Sequence, residues 1–239
     1  MSTSAKYPRI PHFMWSHSPT GDDKVLGNAD HFVGQEVVVT EKLDGENQTW
    51  THEAVYARSH DCPPGHASNS LSKQLWSQSR HLIDPHLSVF FEYTYALHSI
   101  WYRRMAAEYA YIHIFGVRDD RTGIQWSWED VEMMAEHLGY PTVPVLWTGT
   151  VSHAGQLEVL APGGGPSAWT GVPIQADRGQ ISLAPGVTPD ANMREGEVVR
   201  LAGAFEDPQV AIAKSVRPHH VQSDEHWKRY WKPMHGWKP

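Results

Sequence analysis

Short β-branched or aromatic runs, each closed by turn residues, recur along this chain. Gln35–Thr40 (QEVVVT), Asn47–His52 (NQTWTH) and Ala54–Arg58 (AVYAR) form a first group, with His52-Glu53 short enough for a hairpin turn. Ser88–Tyr95, Tyr111–Val117, Glu197–Leu201 and Gln209–Val216 read as further strands, and Arg118–Gly123 is a turn. Helical signals are fewer. Leu71, Leu75 and Leu82, with Trp76 beside them, predict an amphipathic helix over Leu71–Leu82. Ser127–Leu138 opens on a Ser cap and stops at Gly139. Many short strands with few helices predict an α+β fold of two antiparallel β-sheets flanked by helices.

Residues 1–34 are broken by Pro8, Pro11, Pro19, Gly21 and Gly27, and read as an irregular lead-in packed on the domain. Residues 35–239 then form one domain. Residues 149–194, with a glycine run at Gly163–Gly165, read as long loops or an insertion carrying a short element or two. The tail His226–Pro239 is basic, rich in Trp and free of acids.

The chain has 239 residues, 40% apolar and 20% charged, an ordinary globular composition. Lys and Arg number 20 against 27 Asp and Glu, a formal charge of -7, which by itself argues against a nucleic-acid partner. The 16 His and 11 Trp qualify that reading, because acidification would charge the His and because Trp227, Trp231 and Trp237 stand beside basic residues. A single cysteine, Cys62, excludes an internal disulfide framework and predicts a cytoplasmic protein. No apolar run approaches the ~20 residues of a membrane span. The opening MSTSAKYPRIPHF lacks the apolar region of a secretion signal.

The sharpest chemistry lies in Glu41-Lys42-Leu43-Asp44-Gly45-Glu46-Asn47, directly after the QEVVVT strand. A lysine at the end of an apolar strand is partly desolvated, so its pKa is expected to fall and its amine to become a nucleophile. Gly45 permits a tight turn and close approach to the backbone. Neighbouring acids can orient the amine or bind a divalent cation. The competing reading is a charged β-turn between two strands.

Further residues follow in order: Arg58, Glu92 in SVFFEYTYALHSIWY, Phe115 in HIFGVRD, Glu195 in REGEVVR and Lys214 in AKSVR. This series resembles the ordered motifs of the covalent nucleotidyltransferases, the polynucleotide ligases and mRNA-capping enzymes. Within them it is most similar to the ATP-dependent RNA ligases, on Asn47 and the HSIxY form that follows Glu92. The resemblance covers roughly residues 35–230. It implies a ligase adenylation domain that joins a 3′-OH and a 5′-phosphate of RNA, the chemistry of RNA repair. Lys42 would attack ATP and carry AMP covalently; AMP would pass to the 5′-phosphate, and the 3′-OH would displace it.

The resemblance also implies roles. Glu41 would contact the adenine edge, Asp44 would orient Lys42, Gly45 would make the turn, and Asn47 would position the phosphate during sealing. Arg58 would meet a phosphate, for which guanidinium geometry is suited. Glu92 would bind the ribose hydroxyls, its alternative being a pair with Arg103 or Arg104. Phe115 would stack on adenine or be a plain core residue. Glu195, with Glu197 as the competing choice, would bind Mg²⁺ or Mn²⁺. Lys214 would contact the α-phosphate, and Arg217 stands where the family carries a second lysine.

Weaker signals remain. His60, Cys62 and His66 share a loop without standard zinc spacing. His98 belongs to the ligase-like motif. Trp227 and Trp231 can stack on bases or form one packed helical face. DNA ligases and GTP-using capping guanylyltransferases are the alternatives within the superfamily. Both rely on an appended OB-fold domain, and the residues after Lys214 are too few for one. The expectation is therefore no OB-fold domain, leaving room for a partner protein that supplies RNA binding. A non-catalytic nucleic-acid-binding module is the alternative outside the enzyme class. The full set Lys42, Asp44, Glu92, Glu195 and Lys214 argues against it, because an idle site has no need of so many charges.

Overall fold

The computed structural model describes residues 6–17, 21, 23–58, 65–96, 98, 100, 102, 111–168, 193–218 and 233. Its frame is two four-stranded antiparallel sheets. The first contains β1 (Glu36–Lys42), β6 (Val145–Thr150), β7 (Gly196–Leu201) and β8 (Ile212–Val216), in the order β6-β1-β7-β8. The second contains β2 (Glu46–Trp50), β3 (Val55–Ala57), β4 (Leu87–Tyr93) and β5 (Ile112–Asp119), in the order β3-β2-β4-β5. The step from β1 to β2 takes only Leu43, Asp44 and Gly45, so the EKLDGEN segment crosses directly from one sheet to the other.

Period-two alternation sets the faces of β1. Val37 and Val39 pack with Phe13, Phe32, Leu157, Val199 and Ala213 in a core on the outer side of the first sheet. Val38 turns inward and joins the larger core between the sheets, with Trp50, Phe91, Ile112 and Ile114. Helix α2 (Trp128–Leu138) closes that core with Val131, Ala135 and Leu138. Its ends follow the expected chemistry: the Ser127 hydroxyl accepts from Asp130 N–H at 3.2 Å, and Gly139 takes the left-handed conformation at φ 76°. Helix α1 (Ser70–Ser79) continues into a 3₁₀ turn, Arg80–Leu82. Its Ser72 hydroxyl accepts from the Trp50 indole at 3.2 Å and donates to Gln48 at 2.6 Å.

Two elements differ from expectation. Val145–Thr150 forms edge strand β6, although its end lies in the stretch expected to be loop, and helix α3 (Ala154–Leu160) follows it. The Gln209–Val216 run divides. Pro208–Ala211 is a single helical turn, α4, because the Asp207 carboxylate caps Gln209 N–H at 2.8 Å and Pro208 cannot donate to a ladder. The strand begins only at Ile212. The Trp-rich tail, apart from Pro233, lies outside the described residues, as do His60, Cys62, Arg103 and Arg104. Among the described residues no helix is long and apolar enough to cross a membrane.

Candidate active site

A cavity of about 430 Å³ opens between the two sheets. Lys42, Arg58, Arg200 and Lys214 supply cations to its lining, and Glu41, Glu46 and Glu92 supply acids. Tyr7, Phe115, Val143 and Ile212 supply an apolar wall. Such a lining suits a ligand with an anionic part and a flat apolar part.

Lys42 is the last residue of β1, on its inward face. Its Nζ lies 2.5 Å from Glu195 Oε2, with the lysine side chain one quarter exposed and the glutamate 8% exposed. Burial pulls the Lys42 pKa down, but Glu195, Glu92 and Asp44 outweigh it, and the net shift is upward. The downward shift expected from the strand alone is thus reversed, because three carboxylates surround the ammonium. The resting amine is protonated and held.

Asp44 is fixed by the segment after β4. Its carboxylate accepts from Ile100 N–H at 3.0 Å and lies 3.7 Å from His98 Nδ1, and its own N–H donates to the Tyr102 hydroxyl at 2.6 Å. Burial raises the Tyr102 pKa well above the ordinary phenol value, so the hydroxyl stays neutral. Gly45 N–H donates to Glu92 Oε1 at 3.0 Å. Gly45 does not adopt a positive φ; a Cβ there would come within 2.6 Å of the Tyr93 carbonyl oxygen. The glycine is needed for close approach of the crossing segment to β4 rather than for turn conformation.

Asn47 and Glu92 are direct cross-strand partners and share the cavity face. Burial pushes the Glu92 carboxyl up to about 7, with Lys42 working against it. The buried Oδ1 of Asn47 accepts no hydrogen bond from a described residue, an orphan that a ligand donor would satisfy. Lys214, on β8 opposite Val198, is brought down to about 8 by burial and by Lys42.

Of the expected residues, Glu197 and Arg217 lie outside the cavity lining, whereas Glu41 is part of it. Glu41 and Glu197 are cross-strand partners whose side chains point to the outer face of the first sheet, away from Lys42. Glu41 accepts from Ser167 Oγ at 2.5 Å and from Ala168 N–H at 2.8 Å, contacts that hold its carboxylate while the residue still borders the cavity. Burial raises its pKa. Glu197 is fully buried and accepts from Gly163 and Gly164 N–H at 2.8 and 3.1 Å, and pairs with Arg194 at 2.5 Å. It anchors the glycine run, and Glu195 alone of the EGE triplet faces Lys42. Between them Gly196 leaves no room for a Cβ, which would strike the Ser215 carbonyl. Arg217 packs along Gly164 and is not part of the cavity lining. His66 accepts from Ser68 N–H at 3.3 Å as the cap of a 3₁₀ turn, and no cluster of three metal-ligating side chains occurs among the described residues.

Sequence reasoning missed Tyr7, Asp23 and Arg200. The Tyr7 ring packs edge-on against Phe115 with centroids 5.0 Å apart. Arg200 lines the cavity while donating to the carbonyls of Phe115 and Trp126 at 3.2 and 2.6 Å, and burial lowers its pKa to about 10. An arginine inside a strand carried a readable signal, since a buried cation needs partners. Tyr7 and Asp23 carried none, because their contacts are long-range.

A family model described as RNA ligase matches residues 35–216. Comparison with curated proteins finds no match. Among solved structures, an apo RNA ligase variant from Naegleria gruberi has a TM-score of 0.52 at 17% identity, covering 84% of this chain and 57% of that one. An archaeal ATP-dependent RNA ligase gives 0.49 at 14% identity, covering 89% and 48%. A Naegleria gruberi RNA ligase variant with ATP and Mn gives 0.48 at 14% identity, covering 89% and 60%. The chain thus spans roughly half to three fifths of these relatives' lengths. At such identities the likeness of the first concerns the fold alone.

Proposed function

Because this chain belongs to the RNA ligase family, we propose that it is an ATP-dependent RNA ligase working through a lysyl-AMP intermediate. The observation that carries this reading is the cavity itself: Lys42, Lys214 and Arg58 share it with an aromatic wall at Tyr7 and Phe115. Cations suit a triphosphate and an aromatic wall suits a base. The solved Naegleria gruberi structures with ATP and Mn lend the nucleotide and metal their precedent.

In this reading Lys42 Nζ loses a proton and attacks the α-phosphorus of ATP. The P–N bond forms as the bond to pyrophosphate breaks. Glu195, 2.5 Å away, is the nearest acceptor for the proton. Lys214 and Arg58 offset charge on the phosphates. The RNA 5′-phosphate then takes AMP from Lys42, and the RNA 3′-OH displaces AMP to form the phosphodiester. Asp44 holds the crossing segment through its contacts to Ile100 and His98. Glu92 meets the ribose and Phe115 the base, while Asn47 offers its unsatisfied Oδ1 near the sealing step. Residues 35–239 form the catalytic unit with the lead-in packed on it.

A hard divalent cation is commonly held by one or two carboxylates together with substrate phosphates and water. Glu195 provides one such carboxylate at the phosphate end, so the donor set fits Mg²⁺ or Mn²⁺. Bound there, the ion would neutralise phosphate charge. Glu197, committed to Gly163, Gly164 and Arg194, is left out of this assignment.

The test is to incubate the protein with α-labelled ATP or GTP and either metal. Label that survives denaturation and alkali but is released by acid is expected with ATP, as for a phosphoramidate. The Lys42→Ala variant should take no label from ATP yet still seal pre-adenylated RNA. Absence of label with both nucleotides, or full labelling of Lys42→Ala, would overturn the reading. Labelling by GTP alone, or sealing of DNA alone, would move it to a capping enzyme or a DNA ligase.

A further inference from the structure

Pro11–Phe13 runs beside β8 as an added parallel bridge. Lys214 N–H donates to the Pro11 carbonyl at 3.0 Å, and Phe13 N–H donates to the Lys214 carbonyl at 2.9 Å. On its other edge the same segment takes up residues 24–26, through His12 N–H to the Lys24 carbonyl at 2.7 Å and Leu26 N–H to the His12 carbonyl at 2.8 Å. The fold thereby carries Asp23 to Lys214, although the two stand far apart in sequence.

Asp23 sits between two basic groups. Its Oδ1 lies 3.8 Å from Lys214 Nζ and its Oδ2 lies 3.5 Å from His12 Nε2. His12 is buried, and its Nδ1 lies 2.7 Å from the Ser16 hydroxyl, which accepts in turn from Val216 N–H at 3.0 Å. His12 is thus tied through Nδ1 and Ser16 to the backbone of β8, with Nε2 facing Asp23. Lys214 lines the cavity, whereas Asp23 does not, so the carboxylate stands behind the ammonium. Lys42 and Arg58 push against the Lys214 charge, and burial does the same, while Asp23 and Glu195 favour it.

We propose that Asp23, held by His12, is a positioning residue that keeps Lys214 charged and aimed at the nucleotide phosphate. This rests on the reading of Lys214 as the phosphate contact. A separation of 3.8 Å leaves the ammonium donors available for a phosphate, so Asp23 supplies charge and direction without competing for every hydrogen bond. Lys214 is thereby supported from the lead-in rather than from its own sheet alone.

The groups that set its protonation are Lys42 on β1, Glu195 before β7, Arg58 after β3 and Asp23 in the lead-in. Only the last is outside the proposed chemistry. Two measurements test the role in the full-length chain. Competitive acetylation mapped by mass spectrometry titrates Lys214 without reference to activity. Asp23→Asn should lower its midpoint by about half a pH unit to one unit, and Asp23→Glu should restore it. Transfer of label from ATP, measured across pH, should lose its alkaline limb at lower pH in Asp23→Asn, with a rate about twofold to fivefold lower at pH 8. Adding Lys214→Arg to Asp23→Asn should bring the alkaline limb back, because a guanidinium keeps its proton.

Unchanged midpoint and pH profile in Asp23→Asn would overturn the inference. So would a loss that is equal at every pH and follows a lowered melting temperature, which marks a structural role. If the wild-type protein takes no label yet the Lys214 midpoint moves, the ligase reading fails while the coupling of Asp23 to Lys214 stands. If labelling is normal and Asp23→Asn changes nothing, only the present inference fails.

Discussion

Lys42 and Glu195 meet at 2.5 Å, joining the end of β1 to the turn before β7. The pair favours the protonated form of the proposed nucleophile. Lys42→Arg separates the two roles of the residue. A guanidinium can keep the ion pair with Glu195 but has no free lone pair near neutral pH. The variant should fold with a stability within about 1 kcal/mol of wild type. It should accept no label from ATP and should still seal pre-adenylated RNA. Wild-type labelling of the arginine variant would remove Lys42 from the chemistry.

Glu195 and Glu197 are separated by one residue and should behave as different kinds of group. Glu197→Gln breaks a buried anion's contacts to Gly163, Gly164 and Arg194, and should cost about 3 kcal/mol in a denaturant melt. Labelling per folded molecule, and its dependence on Mn²⁺ concentration, should stay at wild-type values. Glu195→Ala also removes an ion-pair partner, of Lys42, and should lose stability too, but it alone should shift labelling to higher metal concentration. A metal response altered in Glu197→Gln and unaltered in Glu195→Ala would exchange the two assignments.

Both the legible and the illegible parts of this molecule have physical reasons. The QEVVVT run and its polar ending identified β1 and Lys42, because an apolar strand followed by a charged turn is a local signal. The same alternation that turns Lys42 inward must turn Glu41 outward, a consequence available from period two alone. The Asp207-Pro208 start of α4 was also present in the sequence as a cap and a first-turn proline. Edge strand β6 was harder, since its exposed residues give it little apolar contrast. The upward shift at Lys42 was beyond reach, because it depends on Glu195 and Glu92 arriving from other strands. Tyr7 and Asp23 belong to the same class: their neighbours are set by the packing of the lead-in.

Gly45 offers a packing test close to the chemistry. In Gly45→Ala the new methyl group would meet the Tyr93 carbonyl and Glu92 Cγ, the latter at 3.1 Å. Relief requires the crossing segment to move away from β4, lengthening the Gly45 N–H contact to Glu92. Stability should fall by about 1–3 kcal/mol. Labelling should fall as well, because Lys42, Asp44 and Asn47 share that segment. A variant with wild-type melting and wild-type labelling would show that the approach of the two chains is not needed.

Glu92 and His113 are cross-strand partners on β4 and β5, and their titrations oppose one another. Burial raises the Glu92 carboxyl to about 7, whereas burial lowers the His113 imidazole to about 3. Between about pH 4.5 and 6.5 the folded state keeps a proton on Glu92 that the unfolded chain releases, so this group lowers stability as pH rises. Over the same interval the unfolded chain binds a proton on His113 that the folded state refuses, so this group raises stability as pH rises. Each slope is at most about 1.4 kcal/mol per pH unit, and the two should largely cancel. Denaturant melts across that interval in His113→Gln should reveal stability increasing on acidification. Glu92→Gln should reveal stability decreasing on acidification. Parallel pH profiles for the two variants would show that these groups do not titrate as their burial requires.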